Sequence, residues 1–546
     1  MFEDINYSGD GGIHGQLIRN NGFQGDDPGL AAYSAISGAI LEVDSSVPFS
    51  DALPNSLKVS VESGASGQVG FSNEGYWGIP VDGSPHSHNI FIRGNYQGQM
   101  TWVLQSVSTK EIFENATFYV DTTTERFIEF HQRPITTFSS LTDIEYRMTF
   151  DAELVAGSSV WFALPQLYPT TFHNRYNGLK PSPAKAVDNI GGNFLRFPGG
   201  NKLEGPNVEN RWKWNETIGA LTSRPGHQGA WGYPNKDVSG LHEYFEWCDD
   251  MQLVPFLDVY SGYSLDGTHI TGEDLRPFVD EVMRELEDVL GDSSTPMGAL
   301  RAENGREQPW PVKWVESETK TTLVVAATPK DLLPSITLFV RRIQGSNSLL
   351  QQLGSTAYLI HFQQMRGSTT TNIMNKHIIG ELGRWGVQWS DMKGSVSEAI
   401  FMPGLERNSD LIRGVAFAPL ISLVDHQQWA PNLIPFKQAP DAIVYTSSYW
   451  VQQLFAQNAG SMTHEIISDT GFDLLANYAG EPQHLDIEIA GKRSATLSIL
   501  GHDNPDSTNI HDAAPISPPV VSHIESSDGN FSFLLPAWSV AVLRTD

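Results

Sequence analysis

A single cysteine, Cys248, in 546 residues excludes an intramolecular disulfide. It follows the apolar run Tyr244-Phe245-Glu246-Trp247, where a buried structural thiol is expected rather than a reactive one. Basic residues are scarce as well. Against 63 Asp and Glu there are 35 Lys and Arg, a net charge of -28, and a field of that sign repels nucleic acid, so a neutral partner fits better. No apolar run is long enough to span a bilayer, which argues against a membrane protein. Met1-Phe2-Glu3-Asp4 carries no basic segment, apolar stretch or small-residue cleavage site, so a signal peptide is expected to be missing upstream. What is present is 49 Gly, 32 Pro and 14 Trp in a chain that is 40% hydrophobic, the composition of a folded, loop-rich protein. The length exceeds the roughly 250–300 residues that one core supports, which predicts two or three domains.

Residues 25–165 contain alternating runs such as Leu57-Lys58-Val59-Ser60-Val61 and Gln99-Met100-Thr101-Trp102-Val103-Leu104, broken by Gly, Ser, Asn and Pro. Period-two hydrophobicity of this kind predicts an antiparallel β-sandwich. Within it Gly75-Tyr76-Trp77-Gly78 reads as core aromatics, with sugar stacking as the alternative. From about 166 the rhythm changes to strand, loop and helix. Phe194-Leu195-Arg196-Phe197 and Leu253 to Val259 read as strands, and Gly240 to Trp247 between them as a helix. Such alternation continued to about 415 suggests a (β/α)8 TIM barrel with its active site at the C-terminal ends of the strands. Past 415, runs such as Ala442-Ile443-Val444-Tyr445 and Trp538 to Leu543 predict a C-terminal β-sandwich over 416–546. The expected order is therefore 1–24 as the first barrel strand, 25–165 as an inserted carbohydrate-binding-like sandwich, 166–415 as the barrel and 416–546 as the last domain.

Three ordered motifs carry a family resemblance: Phe2-Glu3-Asp4-Ile5-Asn6-Tyr7-Ser8-Gly9-Asp10-Gly11-Gly12, then Leu195 to Asn201 with its Pro198-Gly199-Gly200-Asn201 end, then Gly262-Tyr263-Ser264-Leu265-Asp266-Gly267. Together they resemble fungal-type α-L-arabinofuranosidases of glycoside hydrolase family 51. The resemblance implies a retaining, exo-acting hydrolase that releases terminal L-arabinofuranosyl groups from arabinoxylan or arabinan. By it, Glu3 and Asn201 bind the sugar hydroxyls and Trp214, with Trp212, walls the subsite; Trp-x-Trp is as often core. It also implies a secreted glycoprotein, and sequons begin at Asn6, Asn115, Asn215 and Asn530. No metal or organic cofactor is implied, since both the nucleophile and the acid/base are protein carboxyls. The oligomeric state is not readable.

The family nucleophile is the Glu of a Gly-Glu-Tyr-type strand end; Ile378-Ile379-Gly380-Glu381-Leu382 resembles it and points to Glu381. The acid/base segment departs. Family members carry Val-Glu-Ile-Gly-Asn-Glu-Asp, whereas Val315-Glu316 continues Ser317-Glu318-Thr319-Lys320, which sets Lys320 in the catalytic register. A lysine titrating near ~10.4 is a poor proton donor to a departing alcohol. Glu318 substitutes only if the strand end shifts by two residues, a shift that keeps the same face.

Residues 317–375 also change composition, with acidic residues only at 318 and 331 against basic ones at 320, 330, 341, 342 and 366. Only 381 − 316 = 65 positions separate the two motifs, where three βα units need roughly 90. One unit is therefore expected to be missing and the barrel incomplete, with His361 the nearest match to an intervening family histidine. These features predict weak turnover of the chain as written. They leave open a non-catalytic carbohydrate-binding protein, or a defective gene reading of the enzyme.

Overall fold

The computed structural model describes residues 1–134, 137–318, 323–326, 389–407, 414–439, 442–460, 476–510 and 515–545. Glu381, Lys320 and His361 lie outside that set.

Two five-stranded antiparallel sheets form the inserted sandwich. One runs Tyr33–Ile36, Gln68–Asn73, Ile144–Asp151, Gln97–Ser106, Ile112–Asp121; the other runs Ile40–Asp44, Ser56–Ser60, Ser159–Tyr168, Ser87–Gly94, Ile128–Gln132. Alternation is strict in Ser87–Gly94 and Ile144–Asp151, where every second residue is buried. The inward set, including Phe71, Trp102, Tyr146, Phe150 and Phe162, fills one core. Period two in the sequence thus becomes one apolar and one wet face per sheet.

After the sandwich, Phe194–Phe197, Val254–Tyr260 and Trp314–Glu318 pair in parallel. Helices Leu241–Asp250 and Arg276–Leu290 connect them, and each lays an apolar stripe on the sheet, as βα crossovers require. Cys248, on the first of these helices, is buried in the same core. The opening segment flanks this sheet: Phe2 donates its N–H to the Arg196 carbonyl at 2.9 Å. On its far side Leu423 donates to the Asn6 carbonyl at 3.0 Å, and Ile421–Leu423 pairs in parallel with Ile434–Phe436. The result is an arc of six neighbouring segments.

The described residues contain no closed barrel, and one feature opposes the expected run of parallel strands. Leu323–Ala326 returns antiparallel along Trp314–Ser317, a hairpin step that needs no crossover helix. The boundary expected at 416 also falls later. Phe417, Leu420, Ile421, Leu433, Ile434, Phe436 and Tyr449 pack in the core of the parallel sheet, and Ile443 makes only an isolated bridge to Phe436. Among the described residues, the C-terminal β-domain has as its first strand Ala476–Asn477, which lies in a sheet with Ser539–Thr545, Ser494–Gly501 and Val520–Glu525.

Helices Met392–Arg407 and Ser447–Gln457 pack between the two parts. Between them Glu398 is wholly buried, accepting a hydrogen bond from the Gln452 amide, and burial raises its pKa to about 7. Because the folded value exceeds the unfolded one, the native state binds the extra proton, and stability falls as pH rises from about 4.5 through about 7. Glu398→Gln is expected to melt with wild type at pH 4.5 and above it at pH 8, by up to about 3 kcal/mol. Thermal melts at the two pH values check this; equal gaps at both would refute it.

Candidate active site

The opening motif is a packing device for one carboxylate. Glu3 is nearly buried, accepting the indole N–H of Trp231 at 3.0 Å and the backbone N–H of Lys202 at 3.2 Å. Burial raises its pKa, while those donors and the charge of Arg196 oppose the shift. Beside it the Pro-Gly-Gly-Asn turn ends the strand Phe194–Phe197, after a cis Phe197–Pro198 bond. Gly199 sits at φ +96°, and a Cβ there would stand 2.4 Å from the Glu3 Cβ. The first glycine of the turn is therefore what allows Glu3 its position, and it sets Asn201 in the following short helix, Gly200–Glu204. Gly199→Ala is expected to cost about 1–3 kcal/mol and to raise KM by displacing Glu3. Melting and steady-state kinetics of the variant measure both; an unchanged Tm would contradict this account.

Asp4 anchors the layer beneath, accepting from Gly9 N at 3.0 Å, Tyr233 Oη at 3.3 Å and Asn235 Nδ2 at 2.8 Å. Burial raises its pKa to about 6. Lys202 Nζ lies 3.2 Å from Asp237, which in turn lies 2.8 Å from His227 Nδ1; despite burial, these two neighbours hold Asp237 down at about 2. Gly11, at φ +85°, leaves room for the ring of Tyr76 from the sandwich, which a Cβ would meet at 2.3 Å. Asn6 grips the loop that carries Trp429: its Nδ2 reaches the Trp429 carbonyl at 3.0 Å and Asn432 Oδ1 at 2.6 Å. Asn6 is wholly buried and so is no glycosylation acceptor in the folded chain, whereas Asn115, Asn215 and Asn530 are exposed.

Aromatic rings from four places in the chain gather near the opening segment, one of them, Trp231, bonded to Glu3. Trp231 and Trp429 stand 6.5 Å apart. Trp77 stacks on His426 at 3.4 Å and meets Tyr7 edge-on at 5.0 Å. Trp77 thus reaches out of the sandwich to the mouth of the parallel sheet, while its neighbour Tyr76 is core. Trp212 and Trp214 behave otherwise. Both are buried in the hydrophobic core, and the Trp214 indole donates to the Glu281 carbonyl at 3.3 Å, whereas the indole beside Glu3 is that of Trp231. Nothing in the local pattern Gly229-Ala230-Trp231-Gly232 marked Trp231 in the sequence.

On the parallel strands, Arg196 Nε donates to Glu316 Oε2 at 2.6 Å and Arg196 Nη2 lies 3.2 Å from Asp258 Oδ2, all three side chains being buried. Glu316, which opens the acid/base motif, is thereby committed to an internal ion pair. The strand continues to Glu318, in register with Tyr260; the Glu318 side chain lies outside the described residues. The structure thus brings Glu3 and Asn201 together and leaves the assignments of Glu318 and Glu381 to the sequence.

A nearly buried carboxylate beside indole rings, at the C-terminal ends of parallel strands, marks a carbohydrate site of the α/β type. Two family models match, the "Alpha-L-arabinofuranosidase 1 domain" over residues 186–329 and the "Alpha-L-arabinofuranosidase C-terminal domain" over 385–539. Probable α-L-arabinofuranosidase A of Aspergillus terreus is 41% identical over 585 positions, covering 100% of this chain and 93% of that protein. α-L-Arabinofuranosidase A of Aspergillus niger is 40% identical, over 100% of this chain and 93% of its own. The solved arabinose-bound α-L-arabinofuranosidase MgGH51 superposes with a TM-score of 0.85 at 29% identity, covering 100% of this chain and 97% of that one. The chain belongs to the family 51 α-L-arabinofuranosidases.

An alignment of 585 positions with a chain of 546 residues leaves about 585 − 546 = 39 positions opposite gaps in this chain. The family models leave 330–384 unmatched between them, which overlaps the stretch of altered composition.

Proposed function

We propose that the chain is an exo-acting α-L-arabinofuranosidase working with retention on arabinose-bearing plant polysaccharide. The observation that carries the reading is Glu3, held between Trp231 and the Lys202 amide as a hydroxyl acceptor in a chain 41% identical along its full length to an arabinofuranosidase. In this reading Glu3 and Asn201 bind the terminal sugar. Glu381 attacks the anomeric carbon, the bond to the leaving oxygen breaks, and Glu318 gives that oxygen its proton. Water then attacks the same carbon, surrendering a proton to Glu318, and the bond to Glu381 breaks. Two inversions give retention, which requires the carboxyl groups about 5–5.5 Å apart. Both chemical roles are filled by carboxyl groups, so the scheme calls on no metal or organic cofactor. Action on a polymer fits an extracellular protein with glycans at Asn115, Asn215 or Asn530.

A second reading, sugar binding without cleavage, rests on Lys320 in the acid/base register. Release of 4-nitrophenol from its α-L-arabinofuranoside by the full chain separates the two. Release above background, at the weak rate that the altered acid/base segment predicts, is expected for the hydrolase. A cooperatively melting protein that binds arabinose and gives no release above background would establish the second reading.

A further inference from the structure

The strand Ser159–Tyr168 is broken by a bulge between Ala163 and Gln166, with Leu164 at φ +43°. Bulges of this kind re-aim the side chain that follows. Beyond it Gln166 lies in register with Asn89, and Asn89 with His131 on the next strand, so three polar residues form a row across one face of the sandwich. Asn89 Nδ2 donates to Glu129 Oε1 at 2.7 Å, and His131 Nε2 stands 3.3 Å from the same oxygen. Gln166 is only 6% exposed, and beside it the buried Asn89 Oδ1 is without a hydrogen-bond partner. Burying an amide oxygen without a partner is costly. The side chain opens into a cavity of about 480 Å³ between the sandwich and the loop 169–177, a volume within the range of ligand pockets.

Over this floor stands Tyr176, 82% exposed. The loop beneath it is fixed. Arg175 makes a two-pronged bond to Asp250, Asn177 donates to the Val238 carbonyl at 2.6 Å, and Thr171 Oγ1 donates to the Arg175 carbonyl at 2.6 Å. His173, Asn174 and Asn177 all hold left-handed backbone, a strain that ordinary loops avoid. A rigid loop that leaves a phenol ring in water is a preorganised platform.

We propose that this groove is a second carbohydrate-binding site, which takes a neutral, hydroxyl-rich pentosan chain stacked on Tyr176 with its hydroxyls on Gln166, Asn89 and Glu129. The lining carries both donors and acceptors, among them Asn89, Gln166, Glu129 and Arg133, as hydroxyl groups need. The chain's overall charge of -28 disfavours an acidic polysaccharide. That the pentosan is the polymer whose arabinosyl groups the active site removes rests on the hydrolase reading; binding itself does not.

Native electrophoresis of the full chain through gels containing soluble arabinoxylan, and separately debranched arabinan, tests the site. Retardation in at least one gel is expected, weakened about tenfold by Tyr176→Ala or Gln166→Ala, with kcat/KM for the 4-nitrophenyl substrate unchanged within about twofold. The gel that retards the protein identifies the polymer. Wild type that runs unretarded in both, or variants retarded as strongly as wild type, would overturn the site. Because the readout is binding, a chain that cleaves nothing still decides it.

Discussion

Glu381→Gln is expected to lower arabinose release by roughly 10⁴-fold or more, as loss of a covalent nucleophile does when no other group can replace it. An amide cannot displace the leaving oxygen, so the glycosyl-enzyme ester never forms. A purely structural role predicts something different, and azide separates the two. In Glu381→Gly the space left by the side chain admits azide, which attacks the anomeric carbon as the 4-nitrophenolate leaves. One displacement instead of two gives a glycosyl azide of inverted configuration. Recovery of that product, rising with azide concentration, is the expected signature. Residual activity of Glu381→Gln within tenfold of its parent would remove Glu381 from the role.

The sandwich was legible because its two faces see different media. Ile90, Ile92, Trp102, Tyr146 and Met148 are wholly buried while their chain neighbours face outward, so alternation survives in the sequence. Phe194–Phe197 was legible for a second reason, an apolar run stopped by Pro and two glycines. The aromatic wall was not. Trp77, Trp231, His426 and Trp429 lie up to 352 positions apart (429 − 77), and they meet because Asn6 holds the Trp429 loop while Gly11 admits Tyr76. No periodicity reports a convergence of that kind. Trp214 misled because an indole in a Trp-x-Trp pair looks the same in a core as in a subsite; only its hydrogen bond to the Glu281 carbonyl tells them apart.

The family resemblance went further than the physics of the residues could. Glu3 would ordinarily be read as a solvated terminal acid. What buries it is the pairing of Phe2 with Arg196 and the room made by Gly199, contacts that span almost two hundred positions. The segments just past 416 were illegible for the opposite reason. Ile421–Leu423 and Ile434–Phe436 are three residues each and wholly buried, too short for a local pattern to distinguish a parallel strand from the edge of a β-sandwich. The ion-paired Glu316 shows a further limit. Its sequence context marks it as part of a catalytic motif, and its structure as the partner of Arg196.

Glu318→Gln is expected to reduce hydrolysis in a manner that depends on the leaving group. A sugar hydroxyl departing from arabinoxylan needs a proton as its bond breaks, and general acid help of this kind contributes roughly 10²–10⁴-fold. 4-Nitrophenol is acidic enough to leave without one. Release from polymer should therefore fall by about 10²–10⁴-fold, whereas formation of the glycosyl-enzyme from the nitrophenyl substrate should be far less affected. Its hydrolysis, which needs Glu318 as base, then becomes the slow step, so a burst of nitrophenol should precede a slow steady state. Lys320→Met, by contrast, should leave both rates within about twofold of the parent. The strand supports this assignment by running on to Glu318, two residues past the ion-paired Glu316 and in register with Tyr260. An equal fall on both substrates with no burst would make Glu318 a structural residue, and loss of activity in Lys320→Met would move the acid/base role to a lysine whose surroundings depress its pKa.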